Sequence, residues 1–580
     1  MRTIAGTAFA IAWLMAGGAA HAADKTCKLG KMLELPVTMI DRQPTVPVEL
    51  DGHKMRLVAD SGAFFSSLSP GAAAEFGFKQ HSAPYGLRMS GVGGDFDPKV
   101  ATIDAFKLGS ATLHHVDFLV GGSEVGPAGL LGQNILGAAD VEYDLANGVV
   151  RLMKADNCRH ANLAYWAKDK PVSIEDIEPA RAVGMHTQGI VVLNGVRLDA
   201  MFDTGAATSI LSRRAAARLG IKPGDPGVVD AGYTSGLGQG NVRTWIAPFD
   251  SLQIGDNETI KKIRLRFGDL NDSGQFDMLI GADFFLSHRV YVSNALHQMF
   301  FTYNGGPVFD LSIHHDEAPH DGAALTSAVA YSGRGMASAA RRDYASARAD
   351  LTHAIALEPA NGRYYYQRAT IELSMKDDEA AAADLDAAIG RMPDDARSRL
   401  ARAWLRLGKE DKTGAGEDAD AADHALARPS DDRFQLAMLY DSLDRPEQAI
   451  AQYGLWIDAH PHDSKLAVAY NNRCWMRATK GRDFDAAVDD CNHALRLQPH
   501  TAGFLDSRGL AYLRRGDLKK AIDDYDDALK VDPKQASSLY GRGVARRRLG
   551  QTAAGDADIA AAKAIDADTV EKLQQDGVKP

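Results

Sequence analysis

Ten residues beginning at Asp60 recur without a gap 143 positions downstream. Asp60-Ser61-Gly62-Ala63-Phe64-Phe65-Ser66-Ser67-Leu68-Ser69 aligns on Asp203-Thr204-Gly205-Ala206-Ala207-Thr208-Ser209-Ile210-Leu211-Ser212. The register continues through Ala72-Ala73-Ala74 on Ala215-Ala216-Ala217, Gly77 on Gly220 and Lys79 on Lys222. Two further features follow in the same order in both copies. One is a Gly-rich stretch, Ser90-Gly91-Val92-Gly93-Gly94 and then Ser235-Gly236-Leu237-Gly238-Gln239-Gly240; the other is an apolar pair closed by glycine, Leu130-Leu131-Gly132 and then Leu279-Ile280-Gly281. A chain with such an internal repeat folds one unit twice. Short alternating runs bounded by Gly, Asp and Pro, such as Val46-Pro47-Val48-Glu49-Leu50, read as strands. Each copy therefore predicts a strand, an Asp-bearing loop, a second strand and a short helix ending at Gly.

A second repeat begins after the duplication. Pro359, Pro393, Pro429, Pro461, Pro499 and Pro533 each close an amphipathic helix, at spacings of 34, 36, 32, 38 and 34 residues. The copy with Ala521, Tyr525, Ala528 and Pro533 is the cleanest. A period near 34 with this pattern is similar to the tetratricopeptide proteins, over about residues 323–568.

The order hydrophobic-Asp-(Ser/Thr)-Gly-Ala, Gly-rich hairpin, hydrophobic-hydrophobic-Gly resembles the retroviral-type (retropepsin-like) aspartic peptidases, which are related to pepsin. The resemblance covers roughly residues 30–305 as two copies. It implies two all-β acid-protease lobes, 28–155 and 183–305, joined by a linker at 156–182; a second linker at 306–322 leads to an all-α tetratricopeptide solenoid. It further implies that Asp60 and Asp203 are a catalytic pair. Peptide hydrolysis needs a water activated as nucleophile and a proton delivered to the substrate. Two carboxyls sharing one site supply both, because neighbouring like charges do not both ionise readily. Gly62 and Gly205 let the backbone turn and approach its partner. By resemblance the hydroxyls of Ser61 and Thr204 cross-brace the loops, and Gly91, Gly93, Gly94, Gly236 and Gly238 belong to flaps that close over an extended peptide. Two assemblies fit: an intramolecular pair, as in pepsin, or a homodimer pairing like with like. Copy one has Gln133-Asn134 where copy two has Ala282-Asp283.

Other features set the compartment and the partners. Arg2, the apolar run Ile4–Met15 and Ala20-His21-Ala22 have the layout of a secretory signal peptide over residues 1–22, the alternative being an uncleaved anchor. No later segment reads as membrane-spanning. A periplasmic or secreted location places the cysteines in an oxidising compartment. Of the three pairings open to Cys27, Cys158, Cys474 and Cys491, we expect Cys27 with Cys158, bracketing the first lobe, and Cys474 with Cys491, on facing helices of one hairpin; four buried thiols are the alternative. A net charge of −11 argues against a nucleic-acid partner. No spacing typical of a metal site, no phosphate loop and no nucleophile elbow is present, so neither metal nor cofactor is expected. The expectation is an exported aspartic endopeptidase acting on peptides or proteins, with a helical groove for a protein partner. The alternatives are an inactive protease-like binding protein of the cell envelope, and an envelope-assembly scaffold with the protease as a regulatory part.

Overall fold

The computed structural model describes residues 27–84, 87–91, 94–121, 128–159, 161–168, 170–178, 187–235, 241–270, 276–309, 325–461, 463 and 465–580. Residues 1–22, and with them the signal-peptide expectation, lie outside the described residues, as do Gly93, Gly236 and Gly238. Two compact units are distinguished: a first that holds all the strands and runs to Pro359 without Pro70–Gly77, and a second made of Ala360–Pro580 together with Pro70–Gly77.

The first unit contains two closed barrels of six strands. Barrel one runs through Gln43–Leu50, His53–Ala59, Gly129–Leu131, Ser67–Leu68, Ala111–Val120 and Lys99–Leu108, and pairing of Val48 with Leu108 and Leu50 with Phe106 closes it. Barrel two runs through Gln188–Leu193, Val196–Phe202, Met278–Ile280, Ile210–Ser212, Glu258–Gly268 and Asn241–Ile254, closed by Val192 on Gln253 and Leu193 on Leu252. Alternation along each strand sends one face inward: Leu57, Phe106, Phe118 and Leu131 fill the first barrel, and Leu198, Phe202, Phe267 and Ile280 the second, all essentially inaccessible.

The apolar-apolar-Gly segment has the same place in both barrels. Gly129–Leu131 lies parallel to His53–Ala59 and antiparallel to Ser67–Leu68. Met278–Ile280 does the same between Val196–Phe202 and Ile210–Ser212. This inserted strand separates the two strands on either side of each aspartate loop, so the loop must bulge from the barrel end.

A third sheet joins the halves, in the order Lys28–Pro36, Val149–Asp156, Asp140–Asp144, His288–Ser293, Gln298–Tyr303, Ser173–Asp176. Its centre is an antiparallel pairing of the two copies, Val141 on Val292 and Tyr143 on Val290. The fully buried Glu142 sits there between Arg151 Nη1 at 2.6 Å, from copy one, and Arg289 Nη2 at 2.6 Å, from copy two, while Tyr165 Oη donates to its other oxygen at 2.6 Å. A buried carboxylate persists only when paired in this way.

The segment 156–182 is more than the expected linker. Ser173–Asp176 forms the edge strand on Gln298–Tyr303, and Leu163, Ala164 and Ala167 pack with Tyr291 and Phe300. Cys158 lies in the same cluster and is bonded to Cys27, fastening the start of the sheet to this segment. The first helical pair, Ala328–Ala340 and Tyr344–Leu357, groups with the barrels. A Cβ on Gly148 would meet the Gly333 backbone at 2.7 Å, so helix and sheet approach there as closely as glycine allows.

The second unit is a run of antiparallel helix pairs from Gly362–Ser374 and Asp378–Arg391 to Ala536–Arg548 and Thr552–Ile565, ending with Ala567–Gln575. Small and apolar residues at four- and three-residue steps, such as Ala381, Leu385, Ala388 and Ala521, Tyr525, Ala528, bury the seam between helices. Cys491 fills the slot that Tyr525 fills one repeat later and is bonded to Cys474. A regular device escaped the sequence reading: an Arg of one helix forks onto an Asp of the next. Arg368 on Asp384, Arg402 on Asp418, Arg508 on Asp524 and Arg542 on Asp558 all show it, with both bonds at 2.6–2.9 Å. The signal is an Arg followed by an Asp sixteen residues on. Asp506, also buried, has no such cation; it accepts from Ser537 Oγ at 2.8 Å and Ser538 Oγ at 2.6 Å.

Candidate active site

Asp60 follows the strand His53–Ala59 and Asp203 follows Val196–Phe202. Each backbone is pinned to the inserted strand of its own barrel: Asp60 N–H to Leu131 O at 3.0 Å, Asp203 N–H to Ile280 O at 2.8 Å. The carboxyls are aimed by their own loops. Asp60 Oδ1 accepts from Gly62 N–H at 2.8 Å and Ala63 N–H at 2.7 Å; Asp203 Oδ1 accepts from Gly205 N–H at 2.8 Å and Ala206 N–H at 3.2 Å.

The two loops are locked to each other beneath the carboxyls. Thr204 Oγ1 accepts from Ser61 N–H at 3.0 Å and donates to Ala59 O at 2.6 Å. Ser61 Oγ accepts from Thr204 N–H at 2.9 Å and donates to Phe202 O at 2.8 Å. Serine and threonine act interchangeably because only a hydroxyl that both donates and accepts is needed. Ser61 and Thr204 are buried to 1% and 0% exposure, so no water competes for these bonds.

This bracing brings the carboxyls together within one chain, each resting against the glycine of the other's loop. Asp60 is buried, and its pKa stands well above the usual carboxylate range. Burial is the largest cause; the charge of Asp203 adds to it, against the two loop amides that favour the anion. Such a pair holds one proton between two carboxyls over an extended pH range.

Asn134 and Asp283, which differ in type between the copies, do one structural job. Asn134 Oδ1 accepts from Ser66 N–H and Oγ, both at 2.8 Å. Asp283 accepts from Ser209 N–H at 3.0 Å and Ser209 Oγ at 2.7 Å. Ser66 and Ser209 Oγ in turn accept from Gly132 and Gly281 N–H at 3.0 and 2.9 Å, tying each aspartate loop to the glycine of its inserted strand. Burial pushes Asp283 up to about 6. Lobe one also reaches across to the opposite loop, where Gln43 Nε2 donates to Gly205 O at 2.6 Å.

Paired antiparallel strands flank both Gly-rich stretches. Met89–Gly91 pairs with Gly94–Phe96, Gly91 opposite Gly94. Val229–Ser235 pairs with Asn241–Ile254, Ser235 opposite Asn241, and this second strand runs on into the barrel. Among the described residues no cluster of three or more His, Cys, Asp or Glu could hold a metal ion, and no helix is long and apolar enough to cross a membrane.

The model of the family described as aspartyl protease matches residues 46–135 and again 190–284, one match per barrel. A TPR repeat model matches residues 509–550. A search of curated protein sequences returns no match. Among solved structures, a tetratricopeptide repeat protein from Parabacteroides merdae is similar at 15% identity, covering 43% of this chain and 98% of that one with a TM-score of 0.31. YrrB, a TPR protein described as having an unusual peptide-binding site, is similar at 17% identity, covering 39% and 97%, with a TM-score of 0.25. PilF of Pseudomonas aeruginosa is similar at 15% identity, covering 38% and 97%, with a TM-score of 0.29. Each of the two barrels thus carries its own match to the aspartyl protease family model, and the helical run that follows them carries a match to the TPR repeat model.

Proposed function

We propose that this chain is an exported aspartic endopeptidase in which Asp60 and Asp203 activate water together, and whose helical repeats bind a protein partner or substrate segment. The observation that carries this reading is the mutual approach of the buried Asp60 and the half-buried Asp203 on loops cross-braced by Ser61 and Thr204. In the step proposed, the ionised carboxylate takes a proton from water as the water oxygen bonds to the scissile carbonyl carbon. The protonated carboxyl gives its proton to the carbonyl oxygen, so the pair remains singly protonated. Collapse of the tetrahedral species breaks the C–N bond: the carboxylate takes a proton from one of its two hydroxyls as the C=O reforms, the protonated carboxyl gives its proton to the leaving nitrogen, and the dyad again holds one proton. The strand pairs Met89–Gly91 with Gly94–Phe96 and Val229–Ser235 with Asn241–Ile254 are the proposed flaps, closing over an extended chain and excluding water.

The two disulfides and the signal-like start support an oxidising, periplasmic or secreted location. The test is hydrolysis of a mixed peptide library by the full chain across pH. Cleavage is expected to be pepstatin-sensitive, favoured on the acid side, and lost in both Asp60→Asn and Asp203→Asn. Absence of cleavage at every pH, or full activity in both variants, defeats the catalytic reading in favour of an inactive binding protein.

A further inference from the structure

Beneath the dyad the two halves of the molecule differ in chemistry. Directly after the glycine of the inserted strand, copy one has Gln133 and copy two has Ala282, both buried. Gln133 Nε2 donates to Ser61 O at 3.2 Å, on the residue next to Asp60; Ala282 has no group to do this for Thr204.

A second difference lies in the strands at the centre of the joining sheet. Each precedes a hairpin closed by its last pair, Asp144 on Val149 and Ser293 on Gln298, so Tyr143 is the counterpart of Val292. Tyr143 is 1% exposed, and its ring packs edge-on against Phe285 of the other lobe at 5.4 Å. Its hydroxyl has Gln133 and Ser61 as polar neighbours but completes no bond of full hydrogen-bond geometry. The charged groups facing it are Asp60 and, less strongly, Asp203. The acids beside it in the strand, Glu142 and Asp144, are turned instead to Arg151 and Arg289.

Both polar side chains, Gln133 and Tyr143, therefore fall on one side of the approximate twofold, near one another and near the loop of Asp60, while their counterparts Ala282 and Val292 are apolar. A buried hydroxyl that lacks a partner costs stability, and a valine of the opposite lobe shows that an apolar side chain fits this strand position. We propose that Gln133 and Tyr143 are positioning residues that hold the Asp60 loop in one orientation and make Asp60 and Asp203 chemically inequivalent. The pair then keeps its proton preferentially on one side, so that one carboxyl starts each turnover as acid and the other as base. This rests on the peptidase reading, but the inequivalence itself does not need turnover to be observed.

The experiment uses the full chain labelled with carbon-13 at the aspartate carboxyls, with Asp60→Asn and Asp203→Asn spectra assigning the two signals. Titration of the unaltered protein should give two separated midpoints. Gln133→Ala and Tyr143→Phe should each draw them together by half a pH unit or more. The limbs of the kcat/KM pH profile should move with them, while KM changes less than about twofold. Gln133→Ala removes only one bond to a carbonyl and serves where Tyr143→Phe lowers folded yield. Midpoints that coincide in the unaltered protein, or that stay in place in folded variants, overturn the proposal. If no peptide is cleaved but the midpoints separate and converge as described, the peptidase reading fails and the positioning role stands.

Discussion

A methyl group added at Gly62 would lie 2.3 Å from Cγ of Asp203, and one added at Gly205 would lie 2.2 Å from Oδ2 of Asp60. Each glycine is thus the floor on which the partner's carboxyl rests. Neither residue has a positive φ, so the requirement is space and not backbone conformation. Gly62→Ala and Gly205→Ala must each push the opposing carboxyl away by about an ångström. Displacement of this size at reacting groups costs on the order of a hundredfold in rate. Peptide cleavage by either variant should therefore fall by at least that factor, with the far-ultraviolet circular dichroism retained. A variant within threefold of the unaltered rate would show that the carboxyls do not need this approach.

Removal of one hydroxyl from the brace should affect folding as well as chemistry. Thr204→Val keeps the shape but leaves Ser61 N–H and Ala59 O without a partner in a buried place. Two such losses amount to about 2–4 kcal/mol. The thermal transition of the barrel unit should drop accordingly. Ser61→Thr, which restores the residue type of the second copy, should cost far less. Equal losses in the two variants would mean that packing, and not the hydrogen bonds, holds the loops.

Asp506 gives the helical repeats a pH dependence. Burial pushes its pKa up to about 6, against the two serine hydroxyls that favour the anion. A carboxyl with a raised folded pKa contributes fully below its unfolded value near 3.8, and that contribution is lost as pH rises through about 6. The loss is on the order of 3 kcal/mol at pH 8. Asp506→Asn should raise the helical melting temperature at pH 8 and change it little at pH 4. A stabilisation equal at both pH values would exclude titration as its cause.

The Cys474–Cys491 bond closes a short loop inside one helix pair, with a sequence separation of 17. Loops of this length gain about 3 kcal/mol from cross-linking, chiefly through the unfolded chain. Replacement of both cysteines by alanine should lower the denaturant midpoint of the helical signal and remove its sensitivity to dithiothreitol. Retained sensitivity would point to Cys27–Cys158 as the bond that matters.

The parts of this molecule that could be read in its sequence are those written twice or more. Asp60 and Asp203, the hairpins, the inserted glycine strands and the helical period all have a second copy, and repetition separates a pattern from chance. The cysteine pairs were legible from compartment and position on the helices. What escaped reading has no periodicity of its own. Ser173–Asp176 is a four-residue edge strand in a polar segment, defined only by the Gln298–Tyr303 strand beside it. Asn134 and Asp283 look unrelated as residue types and become equivalent once each is seen to accept from Ser66 or Ser209. Gln133 and Tyr143 are ten positions apart, and only the fold brings both to Ser61.

The antiparallel pairing of Asp140–Asp144 with His288–Ser293 has a consequence for how the pair of carboxyls responds to dilution. Where two separate chains each bring one aspartate, the fraction of assembled sites falls as the protein becomes scarce. Here both strands lie on one chain, so the local concentration of each half around the other is set by the intervening polypeptide and not by the solution. The two carboxyls stay together at any abundance, and the specific rate of the peptide cleavage proposed above should be the same at nanomolar as at micromolar concentration.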